Sequence, residues 1–436
     1  MAIPAEPDVE TCLRVLAEAA ADPDDPRWAR VRQAVAQVYR ADKKARKADR
    51  HADRKRRDSA AMATAERYRQ QDPEPSPADG FTGSLRPLAS ARRCYVCKDT
   101  YRQVHSIYHL LCPECAEENL ARRHARCDLR GRRALVTGGR VKIGFQVALK
   151  MLRDGAEVLV TTRFPGDAAR RFASVPDCAE WIDRLHVHGV DLLDLPAVAG
   201  LLDSAHQRFD HLDILVNNAA QTIRRPAAYY REVSSAERRP LEAADRPSMD
   251  VASVAELESL FPAGRVDETG QPLDLRERNS WSLRLHEVDP AEWLEVQLVN
   301  AFAPFLLTSR LRGLLEASPY PDRYVVQVSA MEGSFSREHK TVRHPHTNMA
   351  KASLNMLTRT SAADYAATGI HMNSVDTGWV TDERPHPAKT AQRAAGFRPP
   401  LDVIDGAARV YDPIVQGVGG RPMSGLFLKD FRPVEW

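Results

Sequence analysis

The chain has 436 residues, 43% of them hydrophobic and 28% charged, with a formal net charge of +3. That length buries a sizeable core and leaves room for further modules, while the near-neutral balance excludes a molecule that grips polyanions by charge alone. No apolar run is long enough to cross a bilayer and the N-terminus has no signal-peptide pattern, so the expectation is a cytoplasmic protein with no membrane partner.

Residues 1–90 read as a helical, basic region followed by a linker. Asp8 offers a cap to a helix whose Val9, Leu13, Leu16 and Ala17 fall on one stripe. Asp25 and Pro26 read as the cap and first-turn proline of a second helix, with Trp28, Val31, Val35 and Val38 on one side, running on into a basic stretch over residues 43–57. Clustered Lys and Arg suggest a nucleic-acid partner. Asp42, Asp49 and Asp53 interrupt the run and aromatic stacking partners are missing, so a solvated helix face is preferred and nucleic acid disfavoured. A contact surface for a sister subunit is a third reading. Residues 71–80, rich in proline, read as a flexible linker.

Residues 91–125 hold Cys94-Tyr-Val-Cys97 and, fourteen residues later, Cys112-Pro-Glu-Cys115. Four thiolates so spaced suit tetrahedral Zn²⁺ in a module too small to build its own core. Cys12, Cys127 and Cys178 are scattered, which fits metal binding in a reducing compartment better than a disulfide scaffold. Four sulfurs close the shell, so the metal is structural, and His105 and His109 read as packing or surface residues. Iron of the rubredoxin sort takes the same ligands, but nothing else in the chain speaks for electron transfer.

Residues 126–436 alternate short apolar runs with amphipathic helical patterns, the signature of an α/β fold with a doubly wound parallel sheet. Strands are predicted over 133–137, 157–161, 185–190, 212–217, 324–328, 371–375 and 425–428. The first helix of this part shows Ile143, Val147, Met151 and Leu152 on one face and stops at Gly155. The glycine-rich turn before it lets backbone approach a pyrophosphate, and the helix N-terminus favours the negative charge. Thr161-Thr162-Arg163-Phe164, after the second strand, has no carboxylate to repel a 2′-phosphate, and Arg163 can pair with one. NADP is therefore expected over NAD.

These residues resemble the short-chain dehydrogenase/reductase family over essentially all of residues 128–436, which implies a Rossmann fold. Thr137-Gly138 through Arg140, Ile143 and Gly144 looks like the family's cofactor loop, with Thr162 and Arg163 at the adenosine ribose. Asp191 resembles the aspartate that holds the adenine. Asn217-Asn218-Ala219-Ala220 is similar to the Asn-Asn-Ala-Gly motif, whose Asn218 and Ala219 then line the cofactor. Asn300 matches the helix asparagine that anchors a proton-relay water. Ser329 matches the serine that holds the substrate carbonyl, Lys351 the lysine that holds the nicotinamide ribose, and Thr381 the threonine at the nicotinamide amide. The resemblance also implies a homo-oligomer, paired through the helices that carry Asn300 and Lys351.

Four departures stand out. Lys142 replaces the middle glycine of the loop. An insertion over about residues 224–283 separates the Asn-Asn-Ala motif from Asn300, and reads as a lid, a partner surface or a partly disordered loop. Asp376-Thr377-Gly378 stands where the family has a Pro-Gly pair. Thr347 occupies the place of the catalytic tyrosine. An aliphatic hydroxyl is far less acidic than a phenol, so Thr347 orients substrate or water, and His344 or His346 is a candidate acid near neutral pH. The expectation is an NADP(H)-dependent oxidoreductase acting on an unidentified small-molecule carbonyl, alcohol or activated double bond. The alternative is a catalytically impaired nucleotide-binding scaffold that recruits a partner protein through its zinc module and basic helix.

Overall fold

The computed structural model describes residues 6–69, 87–237 and 259–436. The linker expected over 71–80 and the middle of the insertion, residues 238–258, lie outside the described residues. Ten strands occur among the described residues: β1 (Arg92–Arg93), β2 (Thr100–Tyr101), β3 (Arg133–Thr137), β4 (Glu157–Thr162), β5 (Leu185–Gly189), β6 (Ile214–Asn217), β7 (Arg323–Ser329), β8 (Ile370–Asp376), β9 (Phe427–Lys429) and β10 (Arg432–Val434).

The sheet follows from sequences that are apolar at consecutive positions, as strands covered on both faces must be. Along β3, Ala134 and Val136 enter one buried layer with Val147, Leu152, Phe172 and Ile414. Leu135, between them, enters the opposite layer with Val198, Leu307, Val325 and Ile370. Truncating such a residue, as in Leu135→Ala, costs about 2–5 kcal/mol because the cavity collapses only partly. Eight strands pair in the order β10-β9-β8-β7-β6-β3-β4-β5, parallel except for β10, which turns back on β9. β3 lies between β4 and β6, so the chain order reverses there, and a crevice opens beyond the strands' C-terminal ends.

In the N-terminal region the helix Glu6–Ala21 is followed by one turn capped by Asp25, which accepts from Arg27 N at 2.8 Å. The helix Ala29–Ala63 then runs for 35 residues. Within it Arg46 pairs with Asp42 at 2.9 Å and Arg57 with Asp53 at 3.2 Å. Each exposed pair contributes only a few tenths of a kcal/mol, so the interleaved aspartates moderate charge more than they add stability. At the far end Asp58 accepts from Ala89 N at 2.6 Å and Ser90 N at 3.2 Å, tying the helix to the cysteine module.

That module packs directly on the α/β core. Met62 and Ala65 from the helical arm, Tyr108, Leu111 and the buried cysteines from the module, and Leu401 from the core form one apolar cluster. A polar seam runs beside it. Arg123 bonds Asp402 at 2.6 Å and Asp405 at 2.8 Å, and Tyr108 and Asn119 donate to Asp405 at 2.7 and 3.0 Å. Asp402 also caps the helix Val403–Val418. Asp405 is fully buried, and these donors are what make a carboxylate tolerable there.

Candidate active site and metal centre

The sulfurs of Cys94, Cys97, Cys112 and Cys115 lie within 4.8 Å of one another. Cys97 and Cys112 are 3.7 Å apart, which matches the edge of a tetrahedron with Zn–S bonds of about 2.3 Å. Cys94 Sγ accepts from Val96 N at 3.4 Å and Cys112 N at 3.3 Å, bonds that favour a thiolate. The donor set therefore fits Zn²⁺. His105 bonds Glu117 at 3.0 Å and His109 is buried edge-on against Tyr68, so both pack outside the shell.

At the sheet's reversal point a cleft of about 2180 Å³ opens. Gly138, Arg140, Ile143, Gly144, Thr162, Arg163, Asp191, Asn218, Ala219, Ser329, Thr347, Lys351 and Thr381 all line it. Gly138 has φ +71°, which an L side chain adopts only under strain. A Cβ on Gly144 would stand 2.3 Å from the Gly138 carbonyl oxygen and 2.4 Å from the Asn218 amide, so the turn is closed too tightly for any side chain. Asn218 holds it by donating to Thr137 O at 2.9 Å and Gly138 O at 3.2 Å. The result is a cradle that backbone alone can line, next to the N-terminus of the helix Lys142–Arg153, and it suits a diphosphate.

Lys142 begins that helix at φ +54°, where the resemblance expects glycine. Its ammonium reaches Glu383 Oε1 at 3.2 Å, and Thr381 donates to the same oxygen at 2.7 Å. Burial works against the charge on Glu383, but Lys142 and the Thr381 hydrogen bond outweigh it and bring its pKa down to about 2. Arg140 is buried between Asp167 at 2.7 Å and Gln271 at 2.8 Å, so its charge is already neutralised. Arg163 is exposed, donates to Tyr230 OH at 2.8 Å and lies 4.6 Å over the Tyr230 ring. Asp191 accepts from Leu193 N at 3.0 Å.

Ser329 ends β7 and donates to Asn355 Oδ1 at 2.7 Å. Lys351 donates to Val328 O at 2.7 Å, and burial brings its pKa down to about 8 against the pull of Glu332 and Asp376. Thr347 lies one turn earlier on the same helix, Pro345–Ala366; its hydroxyl is buried and meets no hydrogen-bond partner. His344 caps that helix in a left-handed conformation, stacks on Trp281 of the insertion with centroids 3.9 Å apart, and bonds Asn348 at 3.0 Å. Burial lowers its pKa below the ordinary histidine value. His346 faces away to Glu292, 3.4 Å from its carboxylate.

Asn300 is set behind the cleft wall. It sits in a π-helical turn, Leu298–Phe302, accepts from Gln221 N at 2.6 Å and donates to Gln221 O at 3.1 Å. Such turns mark functional positions because they break the regular hydrogen-bond ladder. Asn217 braces the sheet through Thr308 and Gln327, each at 3.1 Å. Four lining residues carry no signal of their own in the sequence: Tyr95 and Lys98 from the first cysteine pair, Glu383, and Trp281. Their places depend on how distant segments pack.

Residues 132–238 match the family model described as short chain dehydrogenase, and residues 248–397 the model described as Enoyl-(Acyl carrier protein) reductase. An uncharacterized protein of Acanthamoeba polyphaga mimivirus is 36% identical over 344 residues, 74% of this chain and 72% of that protein. A 3beta-hydroxysteroid dehydrogenase of Eggerthella lenta is 36% identical over 91 residues, 21% of this chain and 34% of the enzyme. Carbonyl reductase (NADPH) 1 of Sus scrofa is 38% identical over 89 residues, 20% of this chain and 29% of that enzyme. The chain thus spans about a third of those two enzymes' length. Among solved structures, a short chain dehydrogenase from Burkholderia cenocepacia in complex with NADP aligns at TM-score 0.47 and 22% identity, over 69% of this chain and 96% of that one. With models that match the α/β part and a relative aligned over most of both chains, the protein belongs to the short-chain dehydrogenase/reductase family.

Proposed function

We propose that the protein is an NADP(H)-dependent oxidoreductase acting on a carbonyl, an alcohol or an activated double bond. The observation that carries this reading is the convergence of the glycine cradle, Ser329, Thr347 and Lys351 on one cleft. Gly138, Ile143 and Gly144 would hold the diphosphate and Asp191 the adenine. Asn218, Ala219 and Thr381 would line the dinucleotide, with Lys351 at the nicotinamide ribose. Arg163 has no carboxylate partner among the described residues and would pair with the 2′-phosphate, together with Thr162. NADPH, when bound, supplies the hydride.

The chain itself must supply the proton. Ser329 would turn its hydroxyl from Asn355 to the substrate oxygen. Thr347 lacks the acidity of a phenol, and the lowered pKa of His344 leaves its ring neutral at pH 7. Lys351, with a pKa of about 8, is still protonated there. It lies four residues from Thr347 on one helix face, so the proton would pass from its ammonium through a water that the otherwise unpartnered Thr347 hydroxyl orients. Asn300 would act indirectly, fixing Gln221 just ahead of the insertion.

Zn²⁺ at the four cysteines would be structural, since no coordination position remains open. Pairing of two chains is supported by apolar side chains left exposed on the helices around Asn300 and Lys351, among them Phe305, Met349 and Met356. The direct test is mass spectrometry of nucleotide retained by the purified protein, followed by NADPH oxidation against a panel of carbonyl and enone substrates. Retention of NADP(H) with hydride transfer is expected. Retention without transfer to any substrate class would replace the enzyme by a nucleotide-binding scaffold.

A further inference from the structure

The segment around the first cysteine pair also reaches the cleft. Tyr95 and Lys98, inside and just after it, line the same cleft as Ser329 and Lys351. Tyr95 OH accepts a hydrogen bond from Trp379 N at 2.8 Å, across 284 residues of sequence. Lys98 locks the tyrosine, donating to the Tyr95 carbonyl and lying 5.1 Å over its ring. Beyond Trp379, Val380 packs against the apolar cluster that contains the cysteines. Val380 also packs beside Ile143 of the cofactor-side helix, and a Cβ on Gly406 would meet these two at 2.9 and 3.0 Å. The loop after β8 is therefore clamped between the cysteine module and the glycine turn.

We propose that Tyr95 is a positioning residue for the dinucleotide, and that the metal-held cysteine module forms part of the cleft wall. The module sets the loop over residues 377–383, and through it Thr381 and Glu383. This inference rests on the reading of the cleft as a nucleotide site, and the topology says which part of the ligand depends on Tyr95. The clamped loop follows β8, the neighbour of the strand that ends in Ser329, with Ser329 opposite Asp376. Arg163 follows β4, four strand positions away in the order β8-β7-β6-β3-β4. At about 4.8 Å per strand this is about 19 Å, so the two features grip opposite ends of an extended ligand.

The experiment uses full-length zinc-loaded protein and Tyr95→Phe, which keeps the ring and removes only the hydroxyl. Zinc content and thermal midpoint are measured first, then affinity for NADPH and for adenosine 2′,5′-bisphosphate, the adenine-end fragment. The expected result is unchanged zinc, NADPH weakened by about threefold to tenfold, as loss of one hydrogen bond implies, and fragment affinity as in wild type. Removal of zinc by a chelator should reproduce the same split more strongly. Equal NADPH affinity in wild type and Tyr95→Phe would overturn the proposal, as would equal weakening of both ligands. Wild-type protein that binds neither ligand would remove the nucleotide reading itself, and this inference with it.

Discussion

Lys142 and Glu383 form an ion pair of 3.2 Å beside the turn proposed to hold the diphosphate, one from the glycine turn and the other from the loop after β8. In this family position a glycine leaves the cradle open; here a cation is present but already partnered. A nucleotide must share Lys142 with a carboxylate whose negative charge is held firmly. Glu383→Gln should therefore tighten NADPH binding, by about threefold to tenfold at low salt and less at high salt, because it frees the ammonium and removes a like charge. Titrations at two ionic strengths check this. Weaker binding in Glu383→Gln would show that the carboxylate orients the loop more than it competes.

The same pair sets an acid sensitivity. The Glu383 pKa is depressed to about 2, so its contribution to stability is present above the unfolded value near 4.5 and is lost as pH falls toward 2. Between pH 5 and 3 the wild-type thermal midpoint should fall more steeply than that of Glu383→Gln. Parallel curves would contradict the assignment.

Arg163 carries the predicted choice of cofactor. Arg163→Asp should weaken NADPH by at least about tenfold and strengthen NADH, since a carboxylate there repels the 2′-phosphate and accepts from ribose hydroxyls. Competitive binding of the two nucleotides reads the preference directly; equal wild-type affinities would end the NADP assignment.

The proton donor is legible in a pH profile. Lys351 has a folded pKa of about 8, below its ordinary value, so its ammonium is present below pH 8 and disappears above it. Reduction should slow as pH rises through about 8. His344 is shifted downward by burial, so its own ionisation lies below the ordinary histidine value and adds no limb near pH 7. A limb centred near pH 7 would return the acid role to a histidine.

The metal centre makes a separate prediction. Native protein should contain one zinc per chain, and Cys97→Ser should lower the thermal midpoint of the entire chain, because the module shares its apolar cluster with Met62 and Leu401. Elemental analysis giving less than about half an equivalent, with no iron in its place, would remove the closed four-thiolate site.

The strands were readable because parallel strands covered on both faces need continuous apolar runs, as in Ala134-Leu-Val136. β10 has no strand signal in the sequence because Arg432-Pro-Val434 is a polar edge segment whose proline is tolerated only at an edge. The glycine turn, Ser329, Lys351 and the four cysteines each lie in a local pattern with a physical reason, and the cleft brings all but the cysteines together. Tyr95 against Trp379, Trp281 against His344 and Lys142 against Glu383 have no local signature. Each joins segments far apart in the chain, and only packing decides such contacts. Asn300 shows the converse: its pattern was clear, yet its side chain bonds Gln221 and does not reach the cleft wall.

The central claim is that this cleft transfers hydride without a tyrosine, with Lys351 as the proton source. Single-turnover NADPH oxidation on a substrate panel, comparing wild type with Thr347→Ala, Lys351→Ala and Thr347→Tyr, tests it most directly. Transfer is expected in wild type, with a modest loss of about threefold to tenfold in Thr347→Ala and a loss of at least about a hundredfold in Lys351→Ala. NADPH binding with no transfer in wild type, together with carbonyl reduction gained in Thr347→Tyr, would contradict it and show a scaffold that lacks its acid.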